Sequence, residues 1–68
     1  SEMISNLLQK AILTLPEKQA IVFQLKYFEE MKYKDISQKL NVSEGGLKAN
    51  FHHAKQKIQE YILSQLNQ

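Results

Sequence analysis

The sequence predicts an all-α fold, a small four-helix domain containing a helix-turn-helix with a long C-terminal recognition helix. Three observations predict it. Apolar residues recur at spacings of three and four in four separate stretches, the period of a helix with one buried face. Two glycines and one proline among 68 residues are too few turn formers for a β fold. A short third stretch, a turn around Asn41 and a much longer fourth stretch follow in the order of a helix-turn-helix.

The first helix is expected over residues 2–14, with Ile4, Leu7, Leu8, Ala11, Ile12 and Leu15 on one face. Thr14-Leu15-Pro16 stops it, because proline has no N–H to donate and suits the first turn of a new helix. The second is expected over 16–29, with Glu17 at the positive end of its dipole. Ile21, Val22, Leu25 and Phe28 are read as inward, and Lys18, Gln19 and Lys26 as outward. Glu30-Met31-Lys32 connects to a third helix over 33–40, where Ile36 and Leu40 share a face. Asn41 tolerates the left-handed conformation that closes a helix, Val42 packs beneath the turn, and Ser43 caps a fourth helix over 44–66. Its stripe of Leu47, Phe51, Ala54, Ile58, Ile62 and Leu66 faces the core.

Composition bounds the function. Residues 1–68 make one domain, near the lower limit for a chain folding on its own core. The absence of cysteine removes disulfides and thiolate metal sites and suits a reducing cytoplasm. No apolar run reaches the ~18 residues of a membrane span, so no membrane partner is expected. Net charge is only +2, but its distribution is uneven: six of the seven acids lie at or before Glu44, and none falls between Glu44 and Glu60.

At about 100° per residue, the far side of the last helix carries Gly45, Gly46, Ala49, His52, His53 and Gln56. Lys48 and Lys55 run along one flank, Asn50 and Lys57 along the other. The DNA major groove admits one helix with a phosphate backbone on either side. Gly46, Ala49, His52, His53 and Gln56 are therefore the expected base-facing residues, and Ser43, Lys48, Asn50, Lys55 and Lys57 the expected phosphate contacts. Adjacent histidines diverge around a helix and no acid or cysteine joins them, so neither a metal nor any other cofactor is expected. No nucleophile and orienting carboxylate share a face, so an enzyme is not expected. Two further readings stand beside DNA binding. One is a plain solvated helix face. The other is a helical protein-interaction module, suggested by Phe23, Tyr27, Met31 and Tyr61, which crowd a core this small.

Leu15-Pro16-Glu17-Lys18-Gln19, Val22-Phe23-Gln24-Leu25, Tyr33-Lys34-Asp35-Ile36-Ser37 and Leu40-Asn41-Val42-Ser43-Glu44-Gly45 together resemble region 4 of bacterial sigma-70-type factors, most nearly the extracytoplasmic-function group. The resemblance runs from Leu7 to Tyr61. It implies a domain that binds the promoter −35 element in double-stranded DNA while held on the RNA polymerase core through its flap. An anti-sigma factor is a further partner it implies. The family positions occupied here by Lys48, Ala49, His52 and His53 face the −35 bases and nearby phosphates. Departures are specific: Ala20 replaces an arginine, Glu30 a glycine, Lys32 a capping serine and Gly46 a threonine, while Asn50, His53 and Lys55 stand at later basic positions. Response-regulator effector domains share the four-helix arrangement. They open differently, however, and end soon after the recognition helix.

Overall fold

The computed structural model describes residues 2–67. Four helices follow in order: α1 (Glu2–Leu13), α2 (Glu17–Tyr27), α3 (Tyr33–Leu40) and α4 (Glu44–Leu66). α4 is the spine. Its 23 residues span roughly 34 Å at helical rise, and α1, α2 and α3 all pack on it.

Two apolar clusters meet along α4. The first joins Ala11, Ile12 and Leu15 to Phe23, Ala54 and Ile58. The second joins Val22 and Leu25 to Ile36 and Leu47. Phe51 packs against both, and its ring stacks on Phe23 at 5.6 Å between centroids. The expected stripe of α4 is therefore the seam of the molecule, though Leu66 at its end is exposed. Ile4, at the other end of the α1 stripe, is also largely exposed, because α1 and α4 both extend past the short helices that could cover them.

α2 corrects the inward assignment in three places. Phe23 is buried, whereas Ile21 and Phe28 are exposed. The reason is geometric: α2 sits between the two clusters and buries Val22 and Leu25 into one and Phe23 into the other. A single-stripe reading cannot represent a helix buried on two sides. Of the aromatic and apolar residues that seemed too many for the core, Met31 and Tyr61 are half-buried and Tyr27 stands 55% exposed.

The turns carry the remaining order. α2 ends two residues earlier than expected. The Phe28 and Glu29 N–H groups both donate to the Gln24 carbonyl, at 3.0 and 3.2 Å. Glu30 then takes φ 54°, which lets the Met31 N–H reach back to the Leu25 carbonyl at 3.1 Å. α3 starts at Lys32 without a side-chain cap. It closes at Asn41 in the left-handed conformation, φ 56° and ψ 48°, with the Asn41 N–H donating to the Ser37 carbonyl. Ser37 holds the following turn twice: its carbonyl accepts the Val42 N–H at 3.3 Å, and its hydroxyl donates to the Val42 carbonyl at 2.6 Å. Ser43 then caps α4 by accepting from the Gly46 N–H at 3.1 Å.

Glu30 sits in a conformation that costs an ordinary residue about 1 kcal/mol and glycine almost nothing. Glu30→Gly is expected to raise the urea midpoint by an amount equivalent to about 1 kcal/mol, with the slope of the transition unchanged. A lowered midpoint would show that the Glu30 side chain stabilises the turn by more than its backbone costs.

Candidate nucleic-acid interface

The outer face of α4 follows from the burial of its inner one. With Leu47, Ala54 and Ile58 fixed inward, Gly45, Ala49, His52, His53 and Gln56 are turned to solvent. Gly45 has open space around it, with nothing within 4 Å of where a Cβ would stand. Gly46 is different. It is half-buried, and a Cβ there would lie 3.2 Å from the Ser43 hydroxyl and 3.4 Å from a Val42 methyl carbon. What Gly46 presents outward is backbone. Together these residues leave the first turns of α4 without bulk, so backbone can approach a flat partner closely.

His52 and His53 are both exposed, with ring centroids 6.0 Å apart and planes 59° from each other. They fan across the face rather than converge. Among the described residues there is no group of three histidine or carboxylate side chains placed to hold a metal ion. Gln56 continues the polar strip one turn further on.

The lysines are steadied by aromatic rings. Lys48 Nζ lies 5.7 Å from the centre of the Tyr33 ring, and Lys55 Nζ lies 5.1 Å from that of Phe51. Contacts of this kind hold an ammonium group without neutralising it. Lys57 is exposed on the other flank. Asn50, on that same flank, is half-buried and lines a cleft of about 280 Å³ with Lys18, Ile21, Val22, Leu40, Asn41 and Val42. Ser43 is exposed at the cap; its oxygen accepts one backbone bond and its O–H is free to donate outward. The expected residues thus form one continuous surface, with Gly46 and Asn50 set deeper than the rest.

The structure adds a lysine that the helical pattern did not single out. Lys26 Nζ stands 4.5 Å from the centre of the same Tyr33 ring as Lys48, and donates to the Met31 carbonyl at 3.3 Å. The positive strip therefore crosses from α4 over the start of α3 onto α2. Helical spacing identifies residues that share a face of one helix; it carries no signal for two lysines brought to one ring from different helices. On the opposite side of the Lys48–Lys55 flank lies a second, largely apolar cleft of about 240 Å³, lined by Leu8, Phe23, Tyr27, Lys55, Ile58 and Gln59. No helix among the described residues is long and apolar enough to cross a membrane.

Comparison with known proteins agrees with this geometry. The chain is 32% identical over 59 residues to the ECF RNA polymerase sigma factor SigW of Bacillus subtilis (strain 168), a match that covers 87% of this chain and 32% of that protein. The family model described as sigma-70, region 4 matches residues 5–58. That span begins in α1 and ends in α4 beyond the histidines and lysines of the outer face, so it takes in every element that orients them: the chain belongs to the sigma-70 region 4 family.

Proposed function

We propose that this chain is the part of an extracytoplasmic-function sigma factor that recognises the promoter −35 element, with α4 lying in the major groove of double-stranded DNA. The observation that carries this reading is the outer face of α4: exposed, small at its start, free of acids from Gly45 to Gln59, and edged by lysines. In a helix-turn-helix the second helix enters the groove with its N-terminal residues against base edges, while the first crosses the backbone. Ala49 then faces a thymine methyl, and His52, His53 and Gln56 exchange hydrogen bonds with bases. Backbone at Gly46 permits the close approach. Ser43, Lys48, Asn50, Lys55 and Lys57 meet phosphates, which give affinity and register. Lys26 extends the same strip.

The family pattern supports a second contact, with the RNA polymerase core. The cleft beside Tyr27 and Ile58 is the surface best suited to it, since it is apolar, open, and turned away from the base-facing strip. An anti-sigma protein would compete for surfaces of the same kind. The role is binding rather than catalysis: neither histidine of the outer face has a carboxylate beside it to orient it for proton transfer.

Lys48→Ala is expected to weaken binding to a labelled duplex and to reduce the slope of log affinity against log salt by about one, the signature of one lost phosphate contact. Fluorescence anisotropy across a salt series measures it, and an unchanged slope removes Lys48 from the phosphate set. The histidines generate a pH dependence. Nearby phosphate favours the protonated imidazole, so the bound state takes up protons and affinity rises as pH falls from about 7.5 to about 6. Replacing both His52 and His53 by glutamine is expected to flatten that rise at constant salt. A rise that survives the double substitution assigns it to other groups.

A further inference from the structure

The cleft on the Asn50 flank is the feature of this molecule that DNA and polymerase contacts leave unused. It lies where α2, the turn of the helix-turn-helix and α4 meet. Its walls are Ile21, Val22, Leu40 and Val42, and its volume is about 280 Å³. Polar groups enter it from three elements: the Lys18 ammonium, the Asn41 amide and the Asn50 amide. Apolar walls with a few convergent polar groups are the usual composition of a small-molecule site.

The chemistry of those groups selects the ligand. Lys18 supplies a fixed positive charge, and the two amides supply N–H donors. Neither amide is hydrogen-bonded to another described residue, and no carboxylate lines the cleft. Lys18 also stands in the first turn of α2, where Pro16 provides no side-chain cap for the leading N–H groups, so the helix dipole there favours an anion as well. A cation would meet Lys18 at close range. A neutral apolar molecule would fill the walls but leave the donors unmatched. We propose that this cleft binds a small monocarboxylate with a short aliphatic or aromatic body, the body against Val22 and Val42 and the carboxylate toward Lys18 and Asn50.

Occupancy has a consequence that rests on the DNA-binding reading. Asn50 is among the phosphate contacts, and Asn41 and Val42 set the angle at which α4 leaves the turn. A carboxylate held at Asn50 places negative charge beside the path of a DNA backbone, so ligand and DNA bind antagonistically, each lowering the affinity of the other by the same factor.

Three compounds with one ring and different head groups test the site by NMR titration of the labelled chain: benzoate, benzyl alcohol and benzylamine. The expected result is that benzoate shifts the methyl signals of Ile21, Val22, Leu40 and Val42, that benzyl alcohol does so about fivefold more weakly, as for loss of a partly screened charge-assisted contact, and that benzylamine does not. Lys18→Met keeps the stem of an exposed side chain and removes its charge; it is expected to bring benzoate down to the level of benzyl alcohol with the rest of the spectrum unchanged. Equal shifts from all three compounds, shifts centred elsewhere, or full benzoate binding by Lys18→Met overturn the proposal. DNA titrations with and without saturating benzoate read the coupling, and an unchanged DNA affinity overturns the antagonism. Failure to bind DNA with no benzoate present counts against the DNA-binding reading alone, since benzoate titration of the free chain needs no DNA.

Discussion

The packing of α4 through Leu47, Phe51, Ala54 and Ile58 is the constraint on which the other features depend. Leu47 and Ala54 are fully buried, one in each cluster, and Phe51 between them touches both. Burying a leucine side chain contributes about 2 kcal/mol, a large part of what a chain of 68 residues can gain in total. Because the buried stripe fixes the rotation of α4 about its own axis, it also fixes which residues look outward. Ala49, His52, His53 and Gln56 face solvent because their neighbours in sequence cannot.

The turn before α4 fixes the second angle, its direction of departure. Ser37 ties Val42 through both its carbonyl and its hydroxyl, Asn41 supplies the left-handed residue, and Ser43 caps the first turn. A cap of this kind contributes about 1 kcal/mol, which offsets part of the cost of Gly45 and Gly46, roughly 1 kcal/mol each relative to alanine. The start of α4 is therefore a helix of weak local preference held by its cap and by Leu47. Backbone and small side chains are what such a start offers a partner. The flanks compensate, with lysines from α4 and α2 resting on Tyr33 and Phe51.

Much of this was legible from the residues. The four helices, the left-handed Asn41, the Ser43 cap and the buried stripe of α4 all follow from local rules, since each depends on residues a few positions apart. What was not legible depends on three dimensions. Phe23 and Phe28 exchanged places because α2 is buried on two sides and ends before Phe28. The αL conformation of Glu30 was hidden because nothing in a glutamate announces it; only the resemblance, with glycine at that position, pointed there. Lys26 joined the interface, and Asn50 a cleft, through contacts between helices. For the outer face itself, sequence gave the right sector of α4 but not its depth, which placed Gly46 and Asn50 below the rest.

The central claim is that the outer face of α4, held in place by its buried stripe, is what meets DNA. The most direct measurement is an amide chemical-shift map of the chain with a duplex enriched from a randomised pool. The account predicts the largest changes from Ser43 to Lys57, with a second group at the start of α3 near Tyr33. Changes centred on α1 and the last turns of α4, with Gly45 to Gln56 unmoved, would contradict it.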